Sequence, residues 1–211
     1  MVRSFCIGLT VAATLAFPAV AASQAEPEHV RGQVTAMQGS SVTLKTSTGK
    51  TVRLGLVEGS TIIRLSKGSF TEVAFGTYVG SVAVRLDAYS PIIRDSLSWL
   101  HQGFELHIVD EALRGIALGH TGWDLPTGST MSHGWVDDME DRVISIKYGP
   151  TEQDETDVEV ARDIPILRMS LGDRTLLTPG AHVFAGADRG GDGGLVAAFV
   201  LVGENGIVPP M

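Results

Sequence analysis

From His29 onward, apolar and polar residues alternate with period two: Val42 and Leu44, then Val52, Leu54 and Leu56. That is the pattern of a strand with one buried and one exposed face. Between these runs, Ser47-Thr48-Gly49-Lys50 supplies a hairpin turn, with Gly49 free to take positive φ. Ser60 to Leu65 is a further β-branched run. Ser69 is followed three residues later by Glu72, a capping-box spacing that predicts a single helical turn. Gly76 ends it, and Thr77 to Arg85 and Phe104 to Val109 resume as strands. A second series of strands is predicted near 134–139, 143–148, 156–160, 164–169, 181–187 and 195–202. Within it, Leu171 to Leu177 forms a short turn that Pro179-Gly180 ends.

The second series repeats the first. Gly32-Gln33-Val34 through Leu44-Lys45 returns as Gly134-Trp135-Val136 through Ile146-Lys147, an offset of 102. Arg64, Ser66, Val79 and Arg85 return as Arg168, Ser170, Val183 and Arg189, an offset of 104. Five or six strands and one helical turn per copy predict an all-β chain of two tandem small OB-like β-barrels. The expected division is a barrel over 29–110, a packed linker over 111–130 and a barrel over 131–208. The first copy carries an insert. Ser90 and Pro91 suit a helix start and Gly103 a stop, with Ile93, Leu97 and Leu100 on one face. A short helix over 90–103 is expected there.

Arg3 precedes an apolar run from Phe5 to Phe17, and Ala19-Val20-Ala21 follows. This is the grammar of a secretory signal over 1–21, with cleavage as late as 25. The run falls short of the roughly 20 residues that span a bilayer, and no second run of spanning length occurs. The expected location is periplasmic or secreted. Cys6 is the one cysteine and lies in that run, so the remainder has no disulfide and no thiol chemistry. With 16 basic and 24 acidic residues, the net charge is −8. No Lys/Arg cluster supplies the counterion release that nucleic-acid binding needs, so nucleic acid is excluded as a partner.

The linker is rich in glycine yet contains Trp123, Leu125 and Met131, so it is expected to pack rather than hang free. Its residues Glu111-Ala112-Leu113-Arg114-Gly115, Gly119-His120 and Trp123-Asp124-Leu125-Pro126-Thr127-Gly128-Ser129-Thr130-Met131, with Leu106-His107-Ile108 before them and the Pro-Pro-Met end, carry a resemblance. The repeated Gly-x-Val start and Leu177-Thr178-Pro179-Gly180-Ala181-His182-Val183 add to it. The chain resembles the DUF5666 group of exported bacterial proteins, often labelled as metal ABC transporter permeases. The resemblance implies OB-like barrels and carries no activity over to particular residues. A permease needs several spanning helices, and this chain has none to offer.

Candidate chemistry is sparse. Zinc or copper wants three or four converging His or carboxylate ligands. His107 (near Asp110 and Glu111), His120 (near Asp124) and His133 (near Asp137 and Asp138) could supply them if the linker folds back. No tight His-x-x-x-His spacing supports the idea, and ordinary strand and linker roles compete with it. Arg64 and Arg168 stand at equivalent positions, and each could bind a carboxylate or a sugar. The plainer reading is an ion pair with a neighbouring acid. Trp123 and Trp135 flank the junction of the copies and could stack a ligand, or simply pack. The acidic run Glu152, Asp154, Glu155 and Asp157 lacks the internal glycine of a calcium loop. No G-x-S-x-G and no nucleophile–base grouping appear. The expectation is therefore an exported, non-enzymatic binding or scaffolding protein that needs no cofactor. Its partner would be an envelope protein or a small ligand. Alternatives are a metal-binding accessory protein of a transport system and an envelope hydrolase with a carboxylate site.

Overall fold

The computed structural model describes residues 27–86, 99–191 and 193–210. The expected signal segment and residues 90–98 of the expected helix lie outside them. Twelve strands are described: β1 (Glu28–Gln38), β2 (Ser41–Lys45), β3 (Thr51–Lys67), β4 (Tyr78–Arg85), β5 (Leu100–Val109), β6 (Gly119–Gly122), β7 (Thr130–Glu140), β8 (Val143–Lys147), β9 (Glu155–Glu159), β10 (Ile166–Leu171), β11 (His182–Arg189) and β12 (Leu195–Gly203). The chain is all-β, as its alternation predicts. The expected helical turn is a short 3-10 segment, Phe70–Glu72, closed by a complete capping box between Ser69 and Glu72. Among the described residues no helix is long and apolar enough to cross a membrane.

The pairings exchange strands between the copies. β1 pairs with β2, and β2 with β3. β3 then runs parallel to β12, β12 pairs with β11, and β11 returns to β1. That closes a five-stranded barrel. The sequence places 29–110 in one unit and 131–208 in another. The barrel instead joins three strands of the first copy to the last two of the second. Its core shows why neither copy suffices: Val30, Val34, Val42, Leu44 and Leu54 pack directly on Val183, Ala185, Val200 and Val202. Pairings among β4, β5, β9, β8 and β7 also return to their starting strand. They enclose a second core that includes Val79, Leu106, Ile108, Ile144 and Ile146.

β10 links the two rings, antiparallel to β3 and parallel to β5. In the β3–β10 register, Ile63 faces Leu171, Leu65 faces Met169 and Lys67 faces Leu167. An offset of 104 maps this register onto itself, so an internal two-fold passes between Leu65 and Met169. The same operation carries the pair Glu28–Ala187 onto Thr130–Ala83.

Two local expectations need correction or explanation. The expected helix over 90–103 does not reach Gly103: residues 100–103 belong to β5, held by β4 on one side and β9 on the other. The repeated Gly-x-Val start has a steric cause. A Cβ on Gly32 would stand 2.8 Å from the Lys45 carbonyl oxygen, and one on Gly134 would stand 2.1 Å from that of Lys147. Both glycines let β1 and β7 cross closely over their neighbouring strands.

Candidate functional site

On β1, Val30 and Val34 enter the barrel core, so the alternate residues His29 and Arg31 face outward. The outward faces of the two rings meet over β3 and β10. Ile63, Leu65, Tyr78, Val82, Met131, Met169, Phe184 and Leu201 make a third core there. This junction is not fully filled. A cavity of about 890 Å³ lies between the strand faces and the linker. Its walls are mainly apolar: Ile63, Met131, Met169, Phe184, Phe199 and Leu201 from the strands, and Ile116, Leu118 and Trp123 from the linker.

The linker is tied down at several points. Leu113 is buried, β6 pairs with β7, and the Trp123 backbone N–H donates to the Ser129 carbonyl at 2.9 Å. The Trp123 ring lies 4.2 Å from that of His29 and 5.7 Å from that of Phe184. Arg31 grips the next residue with both guanidinium arms, donating to the Asp124 carboxylate at 2.7 and 2.8 Å. His29 Nδ1 meets the same carboxylate at 2.8 Å. The Arg31 hydrogen bonds, more than those from His29, pull the Asp124 carboxyl down to about 2. Arg31 also lies 5.1 Å over the Phe184 ring, a cation–π placement.

Buried polar groups stand beside this cavity. On β4, Gly80 is flanked by His107 of β5 and His133 of β7. The missing side chain makes room for imidazole: a Cβ on Gly80 would lie 2.4 Å from His133 Nε2. His133 lines the cavity, and His107 is fully buried. Glu105, two residues before His107, is also buried, and its Oε1 lies 3.7 Å from His107 Nε2. That separation is too long for a hydrogen bond. Desolvation pushes Glu105 up to about 8 and brings His107 down to about 3 and His133 to about 4. Burial thus favours the uncharged form of all three, and the 3.7 Å separation gives Glu105 and His107 no hydrogen bond to offset it. Among the described residues, neither oxygen of Glu105 and neither ring nitrogen of His107 has a hydrogen-bond partner. The internal two-fold places Phe199, Leu201 and Arg31 where this half has Glu105, His107 and His133. The polar trio thus belongs to one half alone.

Set against known family models, curated proteins and solved structures, the chain matches none.

The residues singled out from the sequence are only partly brought together. His107 and His133 share one face across Gly80. His120 pairs with Ser132 in the register, so it projects from the other face. There its Nδ1 meets Ser132 Oγ at 2.8 Å and its ring stacks on Tyr148. The alternative of a metal held by His107, His120 and His133 finds no convergence of the three, because successive strand residues point to opposite sides and His120 shares the Ser132 side. Among the described residues no three His, Cys, Asp or Glu side chains form a metal-holding group. Arg168 is taken by two acids of its own chain, Glu72 and Asp110. Arg64 approaches Glu204 at 4.0 Å. Trp123 lines the cavity, whereas Trp135 packs edge-on against Tyr78 at 5.3 Å. Sequence reasoning missed Glu105, His29, Phe184 and Phe199. The available signal was Glu105 and His107 on one face of a strand, beside a glycine in the middle of another.

Proposed function

We propose that this is an exported, non-enzymatic binding protein that holds a small, largely apolar molecule between the rings and the linker. The observation that carries the reading is the cavity of about 890 Å³ with its aromatic wall of Trp123, Phe184 and Phe199. Ligand sites run to a few hundred or roughly 1,000 Å³, mostly apolar with a few placed polar groups. Export is supported by the apolar run Phe5–Phe17 and the Ala19-Val20-Ala21 that follows. The ring order β1-β2-β3-β12-β11 supports an OB-like type, a five-stranded barrel whose fourth strand in chain order, β11, follows the 3-10 turn Arg174–Leu176. The linker motif supports kinship with the DUF5666 group.

N-Phenyl-1-naphthylamine, uncharged and aromatic, is a suitable probe because its emission rises on leaving water. Titration should give a saturable, one-to-one rise. Trp123→Ala should weaken binding about tenfold, since a large aromatic contact is lost. Equal affinity in the two proteins, or no saturable rise in either, would remove the reading.

A further inference from the structure

We propose that the molecule taken by this cavity is an amphiphile with one alkyl chain, the chain lying on the buried floor and a hydroxyl-bearing head standing at the rim beside Asp124. The inference rests on the cavity being a ligand site and adds the class and the orientation of its occupant.

The lining changes character with depth. Ile63, Met131, Met169, Phe184 and Leu201 are no more than 5 % exposed, and His133 is the one polar side chain buried beside them. The register sets part of this floor in a row. Phe184 on β11 faces Leu201 on β12, and Leu201 faces Ile63 on β3. β10 lies next to β3 and carries Met169. Neighbouring strands stand about 4.8 Å apart, so the floor runs roughly 14 Å across these four strands. A long apolar floor suits an extended chain, and the unbranched side chains of Met131 and Met169 can follow its bends.

The rim differs. Leu118 is 46 % exposed and the Asp124 side chain 44 %, and Thr121 and Gly122, between them in the chain, are exposed as well. The Asp124 carboxylate faces water at the mouth. It accepts two hydrogen bonds from Arg31 and one from His29, of about four that a carboxylate can take. A head hydroxyl at the mouth would donate the next. Leu118 gives the chain an apolar edge to cross on its way in. A molecule polar throughout would lose its hydration on the floor without replacing it, and a hydrocarbon alone would leave the Asp124 position unused.

Octyl, decyl and dodecyl maltosides carry such a head and test this. Each is kept below its micelle concentration and read by displacement of N-phenyl-1-naphthylamine. Affinity should rise about tenfold for every two methylenes, as their burial implies. Orientation is read separately, from intermolecular NOEs with decyl maltoside. The terminal methyl of the chain should reach the methyls of Met131 and Met169, and the sugar protons should reach Thr121. Affinity indifferent to chain length, sugar contacts to Met131 or Met169, or a terminal methyl that meets only rim residues overturns the inference. So does a phenylnaphthylamine that binds and that no maltoside displaces. In each of those events the cavity reading stands and only the class of its occupant fails. If the phenylnaphthylamine shows no saturable binding at all, the cavity reading itself falls and the amphiphile with it.

Discussion

Glu105 and the two histidines beside it pull stability in opposite directions with pH. Buried Glu105 keeps its proton to about 8, whereas an unfolded glutamate releases it near 4.3. Between those values the folded state binds one proton more than the unfolded state, so stability falls as pH rises. His107 and His133 stay neutral down to about 3 and 4, whereas unfolded histidines take a proton near 6.5. Below that pH the unfolded chain gains two protons against one for the glutamate, and stability falls as pH drops. The trio therefore sets a maximum near pH 6.5. Arg31 is the charged group that reaches Glu105 from the opposing face, and it lowers the carboxyl less than burial raises it. Glu105→Gln is neutral at every pH and should remove the alkaline limb. From pH 6.5 to 8.5 the parent should lose roughly 1–2 kcal/mol that the variant keeps. Urea midpoints at the two pH values check this, and parallel losses in both proteins would show that Glu105 is not held protonated.

At the scale of elements, alternation read most strands to within a few residues, because each has one face in a core. It failed at the start of β5 for a physical reason. The register slips between Val82 and Ala83, whose partners are Glu105 and Gly103, so Phe104 is passed over. That bulge breaks the period of two, and Leu97 with Leu100 then mimics a helical face. β3 read as two runs, 52–56 and 60–65. It is one strand in which Gly59 takes φ +79°. The repeated glycines at the starts of β1 and β7 were visible as a repeat, but their cause was not, since it lies in a carbonyl on another strand. Gly134→Ala should cost about 2–4 kcal/mol, because the obstacle at 2.1 Å is backbone and overpacking of that kind is expensive. Gly32→Ala should cost less, its carbonyl being 2.8 Å away. Gly191→Ala meets nothing within 4 Å and should change stability by no more than about 0.5 kcal/mol. Chemical denaturation of the three variants ranks them, and equal stability of the 134 and 191 variants would refute the close-approach account.

For the whole molecule, the repeat revealed two copies but not how they share strands. A contiguous barrel and an exchanged one bury the same faces of the same strands, so no hydrophobic pattern separates them. The site was hidden for a related reason. It forms between outward faces, at positions where the copies differ: Phe184 stands where the other half has Gly80, and Arg31 where it has His133. Only Trp123 was legible, as an aromatic residue in a glycine-rich linker. The exchange makes a direct prediction about proximity. Gln33 on β1 faces His182 on β11 in the register, although 149 positions separate them (182 − 33). Antiparallel partners stand roughly 4.5–5.5 Å apart at Cα, within disulfide reach. A contiguous first barrel would instead set Gln33 opposite Tyr78, the residue 104 positions before His182. Because Cys6 is the chain's only cysteine, a Cys6→Ala background gives a clean test. The double variant Gln33→Cys and His182→Cys should form an intrachain disulfide on mild oxidation. It should appear as a reductant-sensitive mobility shift, unchanged on dilution because both thiols lie on one chain. Free thiols after oxidation, or a bond that forms only between chains, would mean that β1 does not close on β11. The internal two-fold and the cavity at its junction would then have to be abandoned together.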